Sequence, residues 1–346
     1  MKVQIQMKKN IKGKKESLKF IYVLDDIQLN QSENILIIYD QKLKKKYSKW
    51  ISQFNYKYAV KAGEDLKNID QFPNHIKKIS RIAEDIPSRQ MTIVAFGGGS
   101  VGDFAGFIAS VYKRGVKLIH IPSTWLSAID STHGGKTALN VGGVKNQIGT
   151  FYSAERIYLC QEVLFQLPMD RVYEAYGELL KIALIEGRPL WNKIKKIQQL
   201  DQQIIWSFLP QAIQAKMKIV NDDPMEVLGF RQLLNFGHTM GHAFETYYQI
   251  PHGIAVNYGL CFAIRWSLHK GYLSAPISIP YILDPRVDGL MSMSKIELSK
   301  LLFKDKKRDH KEKVNFIFFR EAGTVFIESV TVKDIIQEYQ RQGKNV

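Results

Sequence analysis

Residues 91–96, MTIVAF, form an unbroken apolar run that passes directly into Gly97-Gly98-Gly99-Ser100-Val101-Gly102-Asp103. A run this short, closed by glycine and rich in β-branched and aromatic side chains, predicts a buried parallel strand. Residues 34–39 (NILIIY), ending at Asp40, and the stretch from Val116 to Ile121, ending at Pro122, repeat the pattern. Helical or loop stretches separate the three, and strand–helix–strand alternation predicts a parallel α/β sheet.

From about Leu164 the pattern changes. Long amphipathic stretches, 170–186, 203–221, 232–248 and 254–270, predict an all-α second domain. A chain of 346 residues accommodates two domains. The boundary expected near 150–165 is drawn as 1–160 for the α/β part and 161–346 for the helical part.

Two cysteines, Cys160 and Cys261, imply no disulfide framework and fit a reducing cytoplasm. The basic N-terminal stretch has no apolar segment behind it, so no signal peptide is expected, and no apolar run approaches the roughly 20 residues a membrane helix needs. The net charge of +16 sits largely in runs such as Lys42–Lys46 and Lys304–Lys313, which read as solvated faces. With no nucleic-acid-binding module beside it, the charge predicts steering of acidic small ligands, not nucleic-acid binding.

Gly97, Gly99 and Gly102 match G-x-G-x-x-G between a strand and a helix. Such a loop lets a pyrophosphate approach the backbone and meet free N–H groups at the helix start, and it is also compatible with a plain tight turn. No acidic residue closes a strand about 20 residues later, as the usual dinucleotide fingerprint requires. Asp40 closes an earlier strand instead and is placed to bind a ribose hydroxyl. Residues 122–151, PSTWLSAIDSTHGGKTALNVGGVKNQIGTF, read as a long glycine-rich loop. Loops of that length in a compact domain are usually functional. Asp130, Lys136, Lys145 and Asn146 are its candidates for holding hydroxyls, a carboxylate or a phosphate.

Farther on stand Glu178, His238 and His252, each in a helical or helix-starting segment. One carboxylate and two imidazoles are the ligand set of a catalytic zinc site with an open position. Alternatives remain at this level. Glu178 with Lys181, three residues on, is also an exposed ion pair, and His238 with His242 is also a packing pair or a direct chelate. Lys216, Arg231 and Asn235 add polar groups to otherwise apolar helical stretches, where unpaired burial would be costly.

The segments GGGSVGDFAGFIAS, YKRG, IDSTHGGKTALN, KNQIGTFY, GELLK, LGFRQLLNFGHTMGHAFE and HGIAV resemble, in order and spacing, the motifs of the 3-dehydroquinate synthase family and its sugar-phosphate cyclase relatives. AGEDLK resembles the family's GE-x-x-K and KDKK its DKK, so the resemblance spans roughly residues 30 to 320. It implies a Rossmann-like N-terminal dinucleotide-binding domain, a helical metal-binding C-terminal domain, NAD, Zn2+ (or Co2+) and a homodimer. The implied reaction is that of a carbon–oxygen lyase. 3-Deoxy-D-arabino-heptulosonate 7-phosphate is transiently oxidised by NAD, loses phosphate by β-elimination, is reduced again and closes by an intramolecular aldol step.

Carried over by motif, Glu178, His238 and His252 are the metal ligands. His242, Lys136, Lys181 and Lys216 are the catalytic group, and Arg114 (toward a partner subunit), Asp130, Arg231, Asn235 and Lys306 bind substrate. Asp40, Glu64, Lys67, Gly97, Gly98, Gly99, Gly102, Asp103, Ser123, Thr124, Lys145 and Asn146 hold NAD. Three departures stand out. HGE is HGI here, with Ile254 in place of a glutamate suited to orient a metal-bound histidine, a kind of partner worth on the order of 10–100-fold in affinity or activity. NHPxGKN is NVGGVKN, with Val141 and Val144, and GLAEVIK is YGELLK, with Tyr176 and Gly177. These departures keep open a paralogous cyclase making 2-deoxy-scyllo-inosose or a valiolone, and more distantly a metal-dependent polyol dehydrogenase or a non-catalytic binding protein.

Overall fold

The apolar runs become the middle of a seven-stranded sheet. The computed structural model describes residues 4–9, 15–29, 34–87, 89–279, 292–304 and 313–343. The chain divides into two compact units, Met1–Arg171 and Val172–Val346.

In the first unit the strands are β1 (Gln4–Lys9), β2 (Lys15–Ile21), β3 (Asn34–Asp40), β4 (Tyr56–Val60), β5 (Met91–Gly97), β6 (Lys117–Pro122), β7 (Lys136–Val141), β8 (Val144–Phe151) and β9 (Arg156–Cys160). The large sheet runs β1-β2-β9-β6-β5-β3-β4. Its strands from β2 to β4 pair in parallel, and β1 closes one edge antiparallel to β2. β5 lies between β3 and β6, with Ile93 opposite Leu36 and Leu118, so every one of its residues is buried. That position explains a run with no polar alternation. On one face Ile37, Val94, Phe96 and Ile121 pack with Tyr47 and Trp50.

The expected long loop at 122–151 is in fact ordered, and this corrects the sequence reading. Ser127–Ser131 form a single π-helical turn, and β7 and β8 make an antiparallel hairpin. Gly142 and Gly143 take φ of 57° and 76° between Val141 and Val144, the two consecutive left-handed residues a tight hairpin turn requires. Residues 144–149 of β8 are exposed, so no buried face imposes the alternation by which a strand is recognised.

The second unit is helical: Met169–Glu186 (begun just before the division), Arg188–Ile194, Gln202–Asp222, His238–Tyr248, His252–His269, Lys295–Lys304 and Val332–Gly343. It is not wholly so, because β10 (Lys313–Glu321) and β11 (Thr324–Thr331) add an antiparallel hairpin. Phe316 and Phe318 of β10 pack edge-on against Trp266 of the His252 helix, which ties the hairpin to the bundle. The His252 helix also presses backbone to backbone on the Glu178 helix. A Cβ at Gly177 would clash with the Gly253 carbonyl oxygen, and one at Gly253 with the Glu174 carbonyl oxygen. The glycine that departs from the family pattern at 177 is therefore what this contact requires. Among the described residues, no helix is long and apolar enough to cross a membrane.

Candidate metal and cofactor sites

In the second unit, packing of three helices brings Glu178, His238 and His252 together. Glu178 sits mid-helix, while each histidine is the first residue of its helix, after Gly237 (φ 79°) and Pro251 respectively. One donor atom from each lies within 4.8 Å of the others, and Oε1 of Glu178 stands 3.4 Å from Nε2 of both histidines. Tetrahedral donors at about 2.0–2.2 Å from an ion stand roughly 3.3–3.6 Å apart, so these separations fit a zinc-sized ion. The carboxylate of Glu178 is fully buried, and no hydrogen bond of normal geometry reaches either oxygen. A buried carboxylate without such bonds is costly unless a cation compensates it.

Part of that compensation is Lys181, 2% exposed, whose ammonium pairs with Oε2. The exposed ion-pair alternative therefore fails. The direct chelate of His238 with His242 is not the arrangement found either, since it is His252 that completes the cluster. The His242 ring stands alongside, its centroid 5.4 Å from that of His238 and 5.9 Å from that of His252. Burial raises the Glu178 carboxyl, but Lys181 and then His238 outweigh it and hold it well below its ordinary value. Burial, then Lys181, lowers His238 to about 3, keeping it neutral as a metal ligand must be. Burial also opposes charge on His252, yet the Glu178 and Glu245 carboxylates beside it prevail and push it up to about 10, and a bound cation would displace that proton from Nε2.

Of the expected substrate groups in this unit, Lys216 and Arg231 are buried at 5% and 4% exposure, and Asn235 is half-buried. Arg231 is held by its surroundings. Its Nη1 donates to the Pro224 carbonyl (2.9 Å), and its backbone N–H, with those of Val227 and Leu228, donates to buried Asp223. Lys306 lies outside the described residues.

In the first unit, the helix Gly99–Val111 starts straight from β5 with Gly98 at its cap, where no side chain caps the free N–H groups. A bare helix start beside glycines suits a pyrophosphate, and the close spacing there supports it: a Cβ at Gly98 would meet Thr124 at 3.1 Å, one at Gly99 the Ser131 hydroxyl at 3.3 Å. Lys67, 4% exposed, donates to Asp103 Oδ2 and Asn146 Oδ1, both at 2.6 Å. Burial raises the Asp103 carboxyl, and Lys67 offsets this only in part. Ser123 bonds the Gly97 carbonyl through its backbone N–H (2.9 Å). Asp40 caps its own turn by accepting from the Lys42 N–H (3.1 Å).

Lys136 and Lys145 are exposed on the hairpin and Asp130 is half-buried on the π turn. Arg114 is exposed at φ 64° beside Lys113 at φ 48°, a strained turn anchored by Lys113, whose ammonium donates to the Ala83 (3.3 Å) and Ile86 carbonyls. Three participants escaped the sequence reading. Asn140 donates to Glu64 (2.9 Å) and accepts from the Asn146 N–H, Ser100 accepts from the Gly63 N–H, and Glu245 bonds His252. Only Glu245 left a signal, three residues after His242 and seven after His238 on one helix face.

A parallel sheet with a glycine-started helix at its centre, joined in one chain to a helical unit with a Glu–His–His cluster, defines a class of dinucleotide- and metal-binding α/β–α proteins. The solved structure of 2-deoxy-scyllo-inosose synthase with carbaglucose-6-phosphate, NAD+ and Co2+ has this fold. It superposes at a TM-score of 0.81, covering 98% of this chain and 99% of that one at 21% identity. So has 2-epi-5-epi-valiolone synthase from Streptomyces hygroscopicus with NAD+ and Zn2+ bound, at a TM-score of 0.79 and 19% identity over 95% and 97% of the two chains. Within that class, residues 57–174 match the model of the 3-dehydroquinate synthase N-terminal domain and residues 175–308 that of the C-terminal domain. The 3-dehydroquinate synthase of Leptospira interrogans is 32% identical over 98% of this chain and 95% of its own length. The chain belongs to the 3-dehydroquinate synthase family.

Proposed function

We propose that the protein is a 3-dehydroquinate synthase. It converts 3-deoxy-D-arabino-heptulosonate 7-phosphate to 3-dehydroquinate and phosphate, with bound NAD and Zn2+ (or Co2+), as a homodimer in the cytoplasm. The observation that carries the reading is the buried Glu178–His238–His252 cluster, inside a chain that matches both halves of that family.

The helix start at Gly98–Gly99 with Gly97, Gly102, Ser123 and Thr124 receives the dinucleotide's phosphates, and Lys67, Asp103, Asn146, Lys145, Glu64 and Asp40 its polar remainder. When bound at these residues, NAD would supply reversible hydride exchange and a divalent ion held by Glu178, His238 and His252 would supply Lewis acidity, so that redox chemistry could occur with no net oxidation. The chain's own groups bind and orient the substrate. By the family motif Arg231 and Asn235 serve the carboxylate and hydroxyl end and Lys136, Lys216 and Arg231 the phosphate, and guanidinium and ammonium groups suit both anions. Asp130, Lys306 and, toward a partner subunit, Arg114 are the remaining groups that the family motif assigns to the substrate. His242, beside the two ligand histidines, holds a proton near the departing phosphate, whose own oxygens serve as base. Burial of Glu178 and Lys181 excludes water and strengthens each charge–charge contact.

The test is turnover of the heptulosonate phosphate by zinc-loaded protein with NAD, with product passed to dehydroquinase. Absorbance of dehydroshikimate that appears with phosphate and disappears with chelator is expected. Turnover of glucose 6-phosphate or sedoheptulose 7-phosphate in its place, or steady NADH accumulation, would overturn the reading.

A further inference from the structure

The two ligand histidines are held in different ways. Nδ1 of His238 donates to the Phe236 carbonyl (3.2 Å), a backbone acceptor two residues back that no substitution removes. Nδ1 of His252 meets instead a side chain, Oε2 of Glu245, at 2.7 Å. An ionised carboxylate only accepts, so Nδ1 carries the proton and Nε2, 3.4 Å from Glu178 Oε1, faces the cluster. The imidazole of His252 is the freer of the two, its side chain 30% exposed against 11% for His238. Ile254 in the first turn of the same helix is buried and apolar and offers no acceptor. Glu245 lies on the preceding helix two turns after His238, so one face carries a ligand at its start and the carboxylate that reaches the other ligand.

We propose that Glu245 is the positioning residue of the metal site: its carboxylate fixes the tautomer and ring plane of His252, the function that position 254 leaves unfilled. The proposal rests on the assignment of Glu178, His238 and His252 as ligands. A carboxylate behind a ligand histidine raises its basicity and restricts its orientation, and loss of such a partner lowers metal affinity by about 10–100-fold.

The experiment measures Zn2+ affinity of the metal-free full-length protein by competition with a chromophoric chelator, and the visible absorption of its Co2+ form. Glu245→Ala is expected to weaken Zn2+ binding by about 10–100-fold and to alter the cobalt bands. Glu245→Gln, whose amide oxygen still accepts the Nδ1–H, should fall between it and the parent and serves as the arm that preserves packing. NAD affinity should stay unchanged in both, since a purely structural defect would move the unfolding midpoint without altering the cobalt bands. Affinity within twofold of the parent and unaltered cobalt bands in both Glu245 variants, while His252→Ala loses tight binding, would overturn the proposal and leave the metal site standing. Unchanged affinity in His252→Ala as well would overturn the ligand assignment and the proposal together.

Discussion

The two candidate sites are built on opposite plans. In the first unit the chain offers backbone: glycines at the end of β5, bare N–H groups at a helix start and a hairpin turned by Gly142 and Gly143, braced by the Lys67–Asp103–Asn146 contacts. In the second unit it offers side chains from three helices, while backbone orients His238 through the Phe236 carbonyl and lets two of those helices approach at Gly177 and Gly253. A backbone site tolerates side-chain change but not a change of chain path. A side-chain site depends on single residues, and on whatever sets the helix spacing.

Substitutions can break this contrast from either side. The largest effect is expected from Glu178→Gln, which removes the charge of the one ligand carboxylate. Loss of several kcal/mol of charge stabilisation corresponds to about 10^3-fold in turnover. Metal analysis should show loss of the ion while fluorescence titration finds NAD binding intact, and loss of both would mean the units do not act separately. Gly177→Ala tests the spacing: the added methyl collides with the Gly253 carbonyl, which costs about 3 kcal/mol. Urea unfolding should register it, together with weaker metal binding.

His120 sharpens the comparison by giving the first unit a pH dependence of its own, apart from the metal ligands. Burial lowers it from 6.5 to about 4. Between those values the unfolded chain takes up a proton that the folded chain refuses, so stability falls as pH falls, by roughly 3 kcal/mol over the range. Unfolding free energies measured from pH 7 to 4 should fall by roughly that much less in His120→Leu than in the parent. The smallest effect is expected from Lys67→Met, which leaves Asp103 and Asn146 without their shared donor. NAD binding should weaken by about 2 kcal/mol, roughly 30-fold, with Zn2+ affinity unaltered in the competition assay.

What was legible in the sequence follows the same division. β3, β5 and β6 announce themselves because both faces are buried and the runs are continuous. β7 and β8 do not, because an exposed hairpin with a glycine turn has the composition of a loop. β10 and β11 went unseparated from the helices around them. Glu178, His238 and His252 are recognisable as a chemical set, yet nothing in their spacing chooses His252 over His242, which is decided by how the His252 helix packs on its neighbours. The Glu245 contact depends on the same packing, which is why the sequence alone leaves open whether Ile254 is compensated.

The account's central claim is that one ion, held by this cluster, and NAD act together on the heptulosonate phosphate. Its most direct test is to titrate metal-free, NAD-saturated protein with Zn2+ while following phosphate release from that substrate. Activity that rises in proportion to added ion and breaks at one per chain is predicted. Release that is already complete without the ion, or that never appears at full occupancy, would contradict it.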